Sequence, residues 1–265
     1  MLLLNGRTLP GSLLIATALS LGAASASAAS LDVRLPVVVW GVTMGQADHR
    51  IEVDGARYAV KGRAKSRGVA AISGGKASYA TSGSIAGDRL LPDSHRLSFK
   101  ARKKGRLALD FRDGDVVRAS VKPRRRPKKD RVKLTAGHRR DVVDPVSAMM
   151  FAVAPGDVGK GARVCNRTIP YFDGNNRADL VLSHKGTRQA KADGFAGPVH
   201  TCSVRFRPLA GHRPSKAVTK FYKANRQMEI TVARVGETPV YALFGFSVKM
   251  QRGTASGQAT RFRLK

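Results

Sequence analysis

The segment KPRRRPKKDRVK, residues 122–133, carries eight Lys or Arg side chains in twelve positions, and the whole 265-residue chain has a formal charge of +30. Clustered cations make and break no bonds. They release the counterions condensed on a polyanion and so hold it by salt-sensitive attraction. Arg124, Arg125, Arg126, Lys128 and Lys129 are the candidate anion-binding residues of this segment, set among Pro123 and Pro127. A solvated loop with no partner is the bland alternative, because runs of charge often do no more than face water. Readers of single-stranded nucleic acid interleave aromatic side chains with cations to stack bases. The stretch 112–140 has no Phe, Tyr or Trp, so nucleic acid is not the expected partner.

Covalent chemistry finds little support. There is no G-x-S-x-G elbow, H-E-x-x-H pair, Walker lysine loop or G-x-G-x-x-G turn, the patterns that place a nucleophile, a metal or a phosphate. Glutamate is limited to Glu52, Glu229 and Glu237. Asp144, Asp173 and Asp179 gather in the second half, but each has a structural reading: helix cap, Asp-Gly turn and partner of Arg177. The six histidines, His49, His95, His138, His184, His200 and His212, are scattered and read as surface or strand positions. His200 stands two residues before Cys202 with no further close ligand, so a zinc site is not expected. The expectation is therefore no catalytic residue, no metal and no cofactor. A hydrolase built from aspartates converging from distant strands is one alternative, and a basic nucleic-acid-binding protein is the other.

The elements that must carry these groups are mostly strands. In GRLALDFRDGDVVRASVK, residues 105–122, Leu107, Leu109 and Phe111 alternate with polar residues, Asp113-Gly114 makes a turn, and the pattern resumes at Val117, Ala119 and Val121. IEVDGARYAV, 51–60, repeats this grammar around an Asp54-Gly55 turn whose central positions tolerate positive φ. TCSVRFRPL, 201–209, alternates so that Cys202 faces inward. EITVARV and PVYALFGFSVKM read as strands, the second buried on both sides. DPVSAMMFAVA, 144–154, predicts a helix with Asp144 as N-cap and Pro145 at its first position. SKAVTKFYKAN, 215–225, predicts another. Trp40, in LPVVVWGV, is expected in the core. The fold class is mainly β: a curved antiparallel sheet or open barrel-like single domain with one or two short helices.

Residues 1–28 hold one cation, Arg7, no acid, an apolar run from Leu13 to Leu21 and the small residues Ala26-Ser27-Ala28. That is the composition of a cleaved secretory signal, with the cut between Ala28 and Ala29 and a single antiparallel β domain over 29–265. The apolar run is too short for the roughly 20 residues of a spanning helix. Export to the periplasm makes a Cys165–Cys202 disulfide the default, stabilising the fold by about 4 kcal/mol on the chain-entropy model.

Several tracts together resemble a known family. VDPVSAMM at 143–150, CNRTIPYFDGNNRADLVL at 165–182 and CSVRFRPLAGH at 202–212 are similar, in order and spacing, to the bacterial exported family named domain of unknown function 3108. YATSGSIAGDRLLPDSHRLSF, 79–99, resembles its amino-terminal half. The resemblance implies an aspartate-proline turn at Asp144 and Pro145, the two cysteines Cys165 and Cys202, and a largely structural tract of Phe172, Asp173, Gly174, Arg177, Asp179 and Leu180. The chain departs from it at Asn175, Asn176 and Ala178, where basic or aromatic residues are commoner, which would alter any surface those positions line. It transfers no activity, only a likeness to curved β-sheet envelope proteins that hold lipids or polymers.

A twisted sheet with a concave apolar face and cations on its rim suits a lipid with an anionic head. The expected function is thus a non-enzymatic, envelope-associated binding or maintenance factor for an anionic lipid or glycan, with peripheral membrane contact.

Overall fold

A computed structural model describes residues 28–68, 74–101 and 103–265. The expected signal over 1–28 falls almost wholly outside the described residues. Described structure begins with Ala28, which pairs with Asp54.

The amino-terminal half is a meander of seven strands: β1 (Ala28–Val39), β2 (Val42–Asp54), β3 (Arg57–Ser66), β4 (Lys76–Ala86), β5 (Arg89–Lys100), β6 (Lys104–Arg112) and β7 (Asp115–Lys122). After a long connection come β8 (Met150–Ala152), the short helix α1 (Gly161–Cys165), β9 (Arg167–Phe172), β10 (Arg177–Ala192) and β11 (Phe195–Ala210). Helix α2 (Ala217–Ala224) then leads to β12 (Met228–Arg234), β13 (Val240–Lys249), β14 (Thr254–Gln258) and β15 (Arg261–Leu264). They form one antiparallel sheet in the order β7-β6-β5-β4-β3-β2-β1-β14-β13-β12-β11-β10-β9, with β15 also on β1 and β8 on β13.

The end strands β7 and β9 do not pair, so the sheet is open. It nevertheless curls until those ends meet. Val142 N–H donates to Gly114 in the β6–β7 turn, Val143 N–H to Pro170, and Phe172 N–H back to Val143. Phe172 from β9 packs with Leu107, Leu109 and Phe111 from β6. Residues 142–143 are thus a strap across the gap, and the following residues run into the interior. Val146, Met150 and Ala152 fill the main core with Leu31, Ile51, Val60 and Phe244.

Several expectations need correction. The stretch 144–154 is not a helix: it makes one 3₁₀ turn, Ser147–Met149, and then strand β8, because an interior segment flanked by β13 gains a ladder partner there. The second predicted helix forms as α2. Trp40 is not in the core. It is 69% exposed, at the first central position of the β1–β2 turn. In the β2–β3 turn the central residues are Gly55 and Ala56, with only Gly55 at positive φ, since Asp54 pairs with Arg57. After the Asp113-Gly114 turn it is Val116 that faces inward while Val117 is exposed, because a bulge at Asp110/Phe111 shifts the alternation by one residue.

Candidate anion-binding site

Register decides what the outer face of the meander looks like. Side chains alternate between faces, so a residue and its cross-strand partners form a row on one side of the sheet. With Leu107 and Leu109 inward, the outward row is Asp48, Arg63, Ser78, Ser98, Arg106 and Lys122, paired strand by strand from β2 to β7. The next outward row is Lys65, Lys76, Lys100 and Lys104. Between them the inward row is Ala64, Ala77, Phe99 and Gly105, with the Phe99 ring laid over Gly105.

Two short serines therefore sit among seven long cations. The stems of Arg63, Lys65, Lys76, Lys100, Lys104, Arg106 and Lys122 wall a depression of about 890 Å³ with Ser78 and Ser98 at its centre. Among the described residues, none of the seven has a carboxylate within 4.0 Å. Asp48, the acid on the margin, is already engaged by Arg34 and Gln46, each at 2.6 Å. Burial would raise its carboxyl, but the bonds from Arg34 and Gln46 hold it below the ordinary aspartate range. It stays anionic and is occupied. The depression offers ammonium and guanidinium donors at several heights, the chemistry of a site for a multiply charged anion.

On the inner side of the same strand ends lies an apolar slot of about 350 Å³ along Val37, Ala47, Ala64, Ala77 and Phe99. Lys65, Lys76 and Lys100 border both spaces.

The basic segment begins beside this depression, which Lys122 and Pro123 line. Its second half is tied down: Asp130 accepts from Arg213 (2.7 Å), Arg131 donates to the Gly211 carbonyl (2.5 Å), and Val132 N–H to His212. Arg125 donates to Asn176 at 3.0 Å. Arg124, Arg126, Lys128 and Lys129 are exposed, without a side-chain partner among the described residues.

The family-motif residues lie elsewhere and hold the fold. Asp144 is fully buried, and its carboxylate accepts from Val146 N–H (2.8 Å), Ser147 N–H (3.2 Å), the Ser147 hydroxyl (2.5 Å) and the Thr81 hydroxyl (3.0 Å). Tyr58 in turn donates to Ser147 at 2.7 Å. His95 Nδ1 stands 3.0 Å from Asp144, an ion-pair distance with an off-line hydrogen-bond angle, and its Nε2 has no partner. Burial alone would push the Asp144 carboxyl up, but His95, Ser147 and the Val146 N–H outweigh it and keep it low. His95, expected as a surface or strand position, is in strand β5 and is fully buried. Its link to Asp144 escaped sequence reading, because a partner so far along the chain leaves no local spacing to notice.

Cys165 and Cys202 form the expected disulfide, with Cα atoms 5.4 Å apart and both residues fully buried. Phe172 is buried, and Asp173 accepts from the backbone of Asn175 and Asn176 (2.9 and 2.7 Å). Gly174 has φ 81°, and a Cβ there would meet Leu107 and Val121. Arg177 pairs with Asp179 at 2.7 Å, and Leu180 packs on the disulfide cluster. At the departures, Ala178 is buried and Asn176 bonds Asp173, so both positions are structural here. Two further histidines, His184 and His200, share the Thr187 hydroxyl at 3.3 and 2.8 Å and pack against Gly161. Among the described residues no cluster of three or more His, Cys, Asp or Glu is arranged to hold a metal.

The fold defines a curled, open antiparallel-sheet protein with an interior strap, a disulfide and unmatched positive charge outside. Comparison with known proteins places it further. The chain belongs to the family described as protein of unknown function (DUF3108), whose pattern matches residues 30–251. No curated protein and no solved structure matches it.

Proposed function

We propose that the protein is an exported, non-enzymatic binding factor for a multiply anionic headgroup of the cell envelope, a phosphorylated lipid or acidic glycan, held on the outer face of β3–β7. One observation carries this reading: seven cations surround Ser78 and Ser98, and among the described residues none of the seven has a carboxylate within 4.0 Å. Confining like charges raises the free energy of the compact state unless an anion relieves it. Asp144, Asp173 and Asp179, the aspartates that a hydrolytic reading would need, are each engaged in local hydrogen bonds or an ion pair and lie outside the depression. The leader composition and the disulfide support an oxidising, exported location.

The test uses short-chain polyphosphate as probe and follows binding by calorimetry over a range of salt. Each cation that replaces a counterion contributes about −0.7 to −0.9 to the slope of log affinity against log salt. Replacing Lys65, Lys76, Lys100 and Lys104 by Ser is expected to flatten that slope by about 3. An unchanged slope and affinity would remove the depression from the function.

A further inference from the structure

We propose that the protein docks on an anionic lipid bilayer by the end of the sheet that carries the β1–β2 turn, with Trp40 as its interfacial anchor. The inference rests on the reading above only for the sign of the partner's charge, because the residues that carry it are different ones.

The turn itself is the first observation. Val39 pairs with Val42, leaving Trp40 and Gly41 as its two central residues, at φ 52° and 76°. A left-handed backbone is unfavourable for a bulky side chain, and Asn, Asp or Gly ordinarily fill such a position. Here the indole lies across Gly253 in the β13–β14 turn, where a Cβ would collide with it, and the rest of the ring projects into solvent. Val42 beside it is 47% exposed. An indole held outward at a hairpin tip has one apolar body and one N–H, the amphipathic character that places Trp at membrane–water boundaries.

Charge is the second observation. The connections and strand ends at this end bear Arg67, Lys103, Lys249 and Arg252, none in an ion pair among the described residues. The basic segment after β7 leaves the sheet here too. The two carboxylates in these connections are occupied, Asp130 by Arg213 and Ser215, Asp173 by its own turn. At the opposite end the turns and strand ends carry Asp54, Asp88, Asp113, Asp193 and Glu237, of which Asp193 is paired with Arg261 and Arg263 and Glu237 with Arg234. The molecule is therefore polarised along its strands, and a negative surface would orient it with Trp40 leading.

A bilayer fits both observations better than the other polyanions. An acidic glycan would satisfy the cations but offers no apolar layer for Trp40 and Val42. A protein partner needs a broader apolar patch than two side chains inside a ring of cations. In this orientation Lys100, Lys104 and Lys122 stand at the lipid-facing end of the depression, within reach of headgroups.

Trp40 is the single tryptophan of the chain, so its emission reports this site alone. The full protein is mixed with vesicles of phosphatidylglycerol and phosphatidylcholine, with phosphatidylcholine alone as the control. Docking by this end shifts the emission to the blue, lets brominated acyl chains quench it, and makes Trp40→Asn, a substitution the turn accepts, weaken partition about tenfold. Sedimentation with anionic vesicles while the emission stays fixed would overturn the docking geometry and leave anion binding standing. Polyphosphate binding with no vesicle association would likewise defeat docking alone, whereas failure with every polyanion would defeat the proposed function as well.

Discussion

The two faces of β3–β6 treat charge in opposite ways. Inside, one carboxylate, Asp144, is surrounded by groups from two strands, Thr81 and His95, and by its own turn, and the Tyr58–Ser147–Asp144 chain is closed to water. Outside, seven cations share a depression and, among the described residues, none has a carboxylate within 4.0 Å. Nearby strands show that pairing is available to this sheet: Arg34 meets Asp48, Arg50 meets Asp32 at 2.8 Å, and Arg57 meets Asp93 at 2.6 Å. Satisfied charge marks what holds the fold, and the unpaired cations are the charge that the proposed anion would neutralise.

The contrast can be broken first at Asp144. Asp144→Ala leaves three buried donors, the Val146 and Ser147 N–H groups and the Ser147 hydroxyl, without their acceptor and is expected to cost about 3–5 kcal/mol, read from urea midpoints. Its pH dependence has a definite sign. Asp144's folded carboxyl lies below its ordinary value, so its contribution is complete above about pH 4 and drains away as pH falls through the lower folded value. Asp144→Asn should flatten the loss of stability in that acid range, and an unchanged acid limb would detach Asp144 from the strap. Next in size, reducing Cys165–Cys202 should cost about 4 kcal/mol or somewhat less, measured by thermal melts with and without reductant. Outside, replacing Lys65, Lys76, Lys100 and Lys104 by Ser should lower low-salt polyphosphate affinity by about 100-fold while the melting temperature holds or rises. A large fall in melting temperature would show those cations to be part of the packing after all. The smallest effect is expected from the basic segment. Changing Arg124, Arg125, Arg126, Lys128 and Lys129 to Ser should move the melting temperature by about 1 °C at most and weaken vesicle retention by less than about tenfold.

Alternation made the strands legible, because each half-buried strand announces its faces within a few residues; the 105–122 hairpin and the inward Cys202 follow from that alone. Expectations failed where tertiary context outweighed local pattern. DPVSAMMFAVA has a helix cap and good helix formers, yet an interior position beside β13 turned it into strand. Trp40 looks like core by type and is lifted out by the turn it occupies. The cation rows were hidden for a different reason. Each strand contributes only a triplet, RAK at 63–65, KAS at 76–78, SFK at 98–100 and KGR at 104–106, and nothing in any one triplet stands out. Only the register assembles them. The conspicuous run at 122–133 marks only the edge of the proposed site, whose body lies in the strands before it.

One consequence of the strand order concerns timing. β1 is flanked on one side by β2 and on the other by both β14 and β15, so Leu31 lies opposite Leu264. The middle of the sheet is thus completed by β14 and β15, which follow every other strand in sequence, and contacts of such wide sequence separation slow the search for the native arrangement. A folding intermediate in which β14 and β15 have not yet docked would present β1 with a bare hydrogen-bonding edge, a form that a holding chaperone can recognise and a neighbouring copy can trap.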